Sequence, residues 1–125
     1  GDGWVTLAPT LERFTGARKK IDEYAATYGR AGKVIETALY ATFNILDNVD
    51  RAKEEGWQWM EKFFGEPRAK LGHHFTIFAS REECVRLLKG YVGAGLTTII
   101  ARIASDDVRG QAHMLLDEIK PRLAA

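Results

Sequence analysis

Gly1-Asp2-Gly3-Trp4-Val5-Thr6-Leu7 is the stretch whose reading decides the fold. Trp4 to Leu7 is short, apolar and β-branched, so it reads as a strand already in progress, with no starting Met and no element before it. A strand met this way belongs inside a sheet. The chain is expected to start in the middle of a parallel sheet that something else completes.

After Leu7 the chain alternates regularly between helix and strand. Pro9 and Thr10 open a helix, where a proline costs nothing because the first N–H groups lack partners anyway. Leu11, Phe14, Ala17, Ile21, Tyr24, Ala25 and Tyr28 recur at helical spacing as one apolar face, and Gly29 and Gly32 end the helix. Val34 to Phe43 is nearly continuous in apolar and β-branched residues, as expected for a strand covered on both faces. Asp47 or Asn48 caps the next helix, whose face is Val49, Ala52, Gly56, Met60 and Phe63, widened by Trp57 and Phe64.

Gly65 to His74 reads as a loop, and Phe75 to Phe78 as a brief extended run. Ser80-Arg81-Glu82-Glu83 has capping-box spacing, with Cys84, Leu87, Leu88 and Tyr91 on the inward face of the helix it starts. That helix stops near Gly93 and Gly95, and Leu96 to Ile103 forms the third clear strand. Ser105 and Asp106 are expected to cap a last helix carrying Val108, Ala112, Leu115 and Ile119, with Pro121 near its end. Helical crossovers between strands imply parallel pairing. The expected fold is α/β, a partial (β/α) barrel of about three parallel strands with crossover helices plus one short strand. Residues 1–125 make one domain.

Composition narrows the function classes. With 18 basic and 17 acidic side chains the net charge is +1, which gives no electrostatic case for nucleic acid or an anionic membrane. No apolar run is long enough to span a bilayer, and no secretory leader is expected. The single cysteine, Cys84, excludes an intrachain disulfide and suits a reducing compartment. A cytoplasmic location is expected.

Three segments taken together carry a resemblance. They are Asp2-Gly3-Trp4-Val5-Thr6-Leu7-Ala8-Pro9-Thr10 with its helix ending Tyr28-Gly29-Arg30; Phe78-Ala79-Ser80-Arg81-Glu82-Glu83-Cys84-Val85-Arg86-Leu87-Leu88 leading to Tyr91-Val92-Gly93-Ala94-Gly95; and Ile99-Ile100-Ala101-Arg102-Ile103-Ala104-Ser105-Asp106 with Gly110-Gln111 and Ile119-Lys120-Pro121-Arg122-Leu123. In this order and spacing the chain resembles the C-terminal portion of the luciferase-like monooxygenases, oxidoreductases on a TIM-barrel scaffold that use FMN or a deazaflavin coenzyme. The resemblance implies about the last three βα units of an eight-unit barrel, which runs to about 250 residues when complete. It places most of the flavin-ring pocket, and a glycine-rich phosphate-binding turn, before Gly1. Gly93 and Gly95 end a helix instead of opening one, the wrong geometry for phosphate. The isolated chain is therefore expected to be inactive, and not to bind flavin as its full-length relatives do.

Individual polar and aromatic residues divide between ligand contact and framework. Arg102 falls on the strand face opposite Ile99, Ala101 and Ile103, near the strand's C-terminal end, where TIM-barrel sites lie. It is a candidate cofactor or anion contact; the alternative is a structural ion pair with an acid from the final loop. Asn44, also at a strand end, either bonds a ligand or shapes the turn. His73 and His74, adjacent on an extended segment, should point oppositely and share no metal. Cys84 should be a buried, inert thiol. Trp57, Trp59, Phe63 and Phe64 are expected on an outer helix of the barrel, in core and interface roles.

These features suit two functions. One is a fragment or truncated homologue of a flavin- or deazaflavin-dependent oxidoreductase, with the cofactor doing the redox work. The other is a non-catalytic α/β domain that self-associates through its open sheet edges. Expected partners are a second copy, as a homodimer, or a complementing N-terminal half-barrel.

Overall fold

The computed structural model of the chain describes residues 1–33 and 35–124. β1 (Gly3–Thr6) leads to α1 (Leu11–Thr27), and β2 (Glu36–Ile45) to α2 (Val49–Phe64). A 3-10 turn at Arg68–Lys70 precedes β3 (Thr76–Ala79), which feeds α3 (Arg81–Gly93). β4 (Thr98–Ile103) leads to α4 (Val108–His113), and the helix continues through a π-helical turn (Met114–Ile119) into α5 (Lys120–Leu123). Pro121 explains the wide turn before it: it has no N–H to give, so the regular ladder cannot close there.

Every strand pair is parallel, and β2 is the hub. Its even-numbered residues turn their backbone to one edge: the Glu36 N–H donates to Asp2 O, Thr42 N–H to Phe75 O and Leu46 N–H to Ala79 O. Its odd-numbered residues serve the other edge, where the Phe43 carbonyl accepts from the Ala104 N–H at 2.8 Å. β1 and β3, four residues each, therefore share one edge of the ten-residue β2, β1 along 36–39 and β3 along 42–45. β4 fills the opposite edge along 38–43. β1, β2 and β4 thus stand side by side in chain order, with β3 as the supplementary short strand. This is the expected partial-barrel arrangement.

The two faces of the sheet differ. Leu39, Ala41, Phe43 and Ile45 are buried against Phe14, Cys84, Leu88, Tyr91 and Ile119, so α1, α3 and the C-terminal helices cover this side. Ala38, Tyr40, Thr42 and Asn44 share the other face with Thr98, Ile100 and Arg102, by register. Here the structure corrects the placement of α2. It was expected outside with the other helices; it lies on this second face, the inner side of a barrel. Met60 packs with Phe78 and Ala104, flanked by Trp57, Trp59 and Phe64. The reason is local. A Cβ on Gly56 would come within 2.8 Å of the Phe78 ring, so only glycine lets the helix settle there.

Element ends shift modestly. β2 runs from Glu36 to Ile45 instead of ending at Phe43, and the expected start at Val34 lies outside the described residues. Asn48 caps α2, its side chain accepting from the Arg51 N–H. Ser80 accepts from the Glu83 N–H, but the Glu83 carboxylate turns to Arg86 at 2.6 Å instead of closing the box. Asp107, not Ser105 or Asp106, caps α4. Of the expected apolar face of α1 only Phe14 is buried; Leu11, Tyr24 and Tyr28 are exposed. α1 is about 25 Å long and β1 about 13 Å, so the helix outruns the strand beneath it. Val108 is likewise exposed, and Gln111 takes the buried place in α4.

Candidate functional site

The C-terminal ends of the strands, on the face shared with α2, gather the chain's least conventional polar contacts. β4 presents Arg102 there and β2 presents Tyr40, one row lower in the register. The guanidinium reaches back diagonally: its Nη2 donates to the Tyr40 hydroxyl, and its Cζ lies 4.8 Å from the Tyr40 ring centre. α2 adds two more rings, Phe64 at 5.0 Å and Phe63 at 5.8 Å from the same carbon. None of the ion pairs among the described residues involves Arg102. The expected structural ion pair is thus not what holds this charge; cation–π contact and one phenol are.

The loop after α2 extends the cluster. His74 stacks on Phe64 with ring centres 4.6 Å apart, and His73 lies 4.1 Å from His74. The two imidazoles lie together and are not opposed as an extended segment would have them. The tight turn after the 3-10 segment, where the His74 N–H donates to Leu71 O, brings them to one side. Burial, then the charges of His73 and Arg102, hold His74 below its ordinary pKa. It is therefore neutral at neutral pH, and Arg102 is the fixed charge of the cluster. Among the described residues no group of three or more His, Cys, Asp or Glu could hold a metal ion.

Asn44 is near this cluster in register but sealed from it. Its Nδ2 donates to the Ala52 carbonyl in the first part of α2, and its buried Oδ1 has no partner among the described residues. Its side chain binds α2 to the sheet; Asn48, not Asn44, caps the helix. Cys84 is fully buried in the opposite core, and burial pushes its thiol up to about 12.

Other features belong to structure. Arg81 at the start of α3 bridges Asp47 at 2.8 Å and Glu118 at 2.7 Å, and Arg122 pairs with Glu82 at 2.7 Å. These tie the loop after β2 to the C-terminal helices. A separate apolar groove of about 520 Å³ lies on the helix-covered face beside β4, lined by Leu88, Val92, Leu96, Ile99, Leu115 and Leu123 among others. It holds no chemistry-bearing pair, and it lies on the opposite face of the sheet from Arg102. No helix is long and apolar enough to cross a membrane among the described residues.

The residues present can be tested against a flat, conjugated cofactor. Arg102 has donors left over after Tyr40, and Tyr40, Phe63 and His74 supply ring surface around them, so this cluster fits such a group. Asn44 does not reach it while α2 is seated. Tyr40, the two phenylalanines and His74 were not singled out by sequence as ligand contacts; the period-two pattern that puts Tyr40 and Arg102 on one face was the available signal.

No family model matches the chain, and no curated protein does. Among solved structures, the chain is similar to a coenzyme F420-dependent tetrahydromethanopterin reductase from Methanopyrus kandleri, with a TM-score of 0.67 at 20% identity. The match covers 98% of this chain and 46% of that one, so the chain spans less than half of its neighbour's length. At this identity the likeness is one of fold: an α/β partial barrel of parallel strands and crossover helices.

Proposed function

We propose that this chain forms one wall of a luciferase-like oxidoreductase site, with FMN or a deazaflavin coenzyme as cofactor. The observation that carries the reading is the position of Arg102: on the barrel-facing side of β4, near the strand's C-terminal end, ringed by Tyr40, Phe63 and Phe64 and with no carboxylate partner among the described residues. The neighbour's dependence on coenzyme F420 supports a deazaflavin as the first cofactor to test. When bound, such a cofactor supplies the hydride or electron transfer. The chain's own part is positional. Arg102 offers planar donors to an electron-rich edge, Tyr40 fixes the guanidinium from one side, and α2 excludes water from the ends of β2 and β3.

The remaining walls come from a complementing half-barrel or from a second copy. A specific observation favours such a partner: no strand pairs with β4 on its outer edge among the described residues, and Val5 and Ile100 of the inner face stay 60% and 41% exposed. A self-associating, non-catalytic role uses the same edges.

Fluorescence titration of F420 and of FMN tests the redox reading. The expected result is weak, saturable binding to this chain that Arg102→Gln removes. Binding of neither cofactor at any accessible concentration, or binding indifferent to Arg102→Gln, contradicts it.

A further inference from the structure

The charge and shape of the Arg102 face say more than which fold it belongs to. The glutamates of α2 and of the loop after it are committed elsewhere. Glu54 and Glu61 lie 3.7 Å and 3.6 Å from Arg68, Glu55 pairs with Arg51 at 2.7 Å, and Glu66 with Lys70 at 3.2 Å. Of the residues that β2 and β4 place on this face, Ala38, Tyr40, Thr42, Asn44, Thr98 and Ile100 bring no acid, and Glu36 lies at the opposite end of β2, three rows from Arg102 in the register. A half-buried guanidinium thus sits among aromatic rings with part of its hydration removed and no counter-charge from the described residues. Cation–π contact offsets part of this loss but supplies no opposite charge.

The surroundings are also flat and apolar. Phe63 remains 60% exposed despite its stack on Trp59, and Ile100 lies one row below Arg102 on the same strand face. Tyr40 accepts from the guanidinium, so its own O–H proton is directed away from Arg102 and available to a ligand. A second copy packed face to face would set one Arg102 cluster against another, an arrangement like charges oppose.

We infer that this face is a binding site for a planar aromatic oxyanion, an aryl carboxylate or its equivalent, whose charged edge meets Arg102 and Tyr40 while its ring lies over Ile100 and the Phe63 edge. The inference concerns ligand chemistry and stands apart from the redox reading. An aryl carboxylate needs no electron transfer to bind here.

The test compares three probes on the wild-type chain: 2-naphthoate, its uncharged analogue 2-naphthylmethanol, and inorganic phosphate, by calorimetry with side-chain NMR. The expected result is 2-naphthoate binding at least about tenfold more tightly than the alcohol, weakening as salt is raised, and shifting the ring signals of Tyr40 and His74. His74 should also titrate at higher pH with 2-naphthoate bound, since an anion beside it favours the imidazolium. Arg102→Gln should bring the acid down to the level of the alcohol, and Arg102→Lys should fall between. Equal affinity for acid and alcohol overturns the inference, as does phosphate alone producing the same shifts, or shifts confined to other faces. The wild-type comparison decides even if a variant fails to fold. A chain that binds 2-naphthoate here but neither FMN nor F420 keeps this inference and loses the redox reading; the converse loses this one alone.

Discussion

The side chain of Gln111 pairs with both backbone groups of Ile45: its Oε1 accepts from the Ile45 N–H at 2.8 Å and its Nε2 donates to the Ile45 carbonyl at 2.9 Å. Ile45 is the last β2 residue facing the β4 edge, and β4 has already left, its final bond running from the Ala104 N–H to Phe43 O. The amide of Gln111 stands in for the missing strand residue. It also docks α4 onto the sheet, which is why a glutamine takes the buried position there.

Gln111→Ala leaves two buried backbone groups without partners. At about 1–3 kcal/mol for each orphaned group, the loss should reach about 2–6 kcal/mol in urea unfolding. Gln111→Glu keeps the acceptor and removes the donor, so it should also destabilise, and more so at neutral pH than in acid, where the protonated carboxyl regains a donor.

Gly56→Ala should destabilise although alanine is the better helix former. Overpacking against the Phe78 ring costs about 1–3 kcal/mol, against a propensity gain of about 1 kcal/mol. Phe78→Leu in the same chain should recover part of the loss. Thermal unfolding of the single and double variants measures the coupling.

Cys84 should resist thiol reagents at pH 8 in the native protein and react once the chain is unfolded. Burial raises its pKa from 9.0 to about 12, so the folded state holds the neutral thiol. The unfolded thiol ionises first as pH rises. The stability tied to Cys84 is therefore full below pH 9.0 and is lost progressively towards about 12, a decline that Cys84→Ala should lack.

His74 works in the opposite direction on the pH scale. Its pKa is lowered, chiefly by burial and then by His73 and Arg102, so the fold prefers the neutral ring. Its contribution is present above the ordinary histidine value near 6.5 and is lost as pH falls through the lower folded one. Arg102→Gln removes one of the charges responsible, and NMR titration should show the His74 pKa rise in that variant.

Much of the fold was legible because periodicity carries it. The nearly continuous apolar run ending at Phe43 reads as a strand covered on both faces, and β2 has helices packed on both; in the structure period two then parts Leu39, Ala41, Phe43 and Ile45 from Tyr40, Thr42 and Asn44. Arg102 was placed on the correct face by the same rule. The position of α2 was not legible, because an aromatic-rich amphipathic helix does not say which side of a sheet it covers. Gly56 was the clue: a glycine in mid-helix marks a close approach, but its partner Phe78 is 22 residues on, beyond any local pattern. The aromatic surround of Arg102 was hidden for the same reason, since Phe63 and Phe64 arrive only when α2 turns inward. The two strands sharing one edge of β2 also lay outside sequence reach; register is a property of pairing, not of either strand alone.

Arg102 can meet a ligand only if the inner sheet face is the ligand-facing one. Chemical-shift mapping of the labelled chain with F420 or 2-naphthoate asks this most directly. The predicted result is perturbation at Tyr40, Phe63, His74, Ile100 and Arg102, with the groove between α3 and the C-terminal helices silent. Perturbation centred on Leu88, Val92, Leu115 and Leu123, with the Arg102 face unmoved, would contradict it.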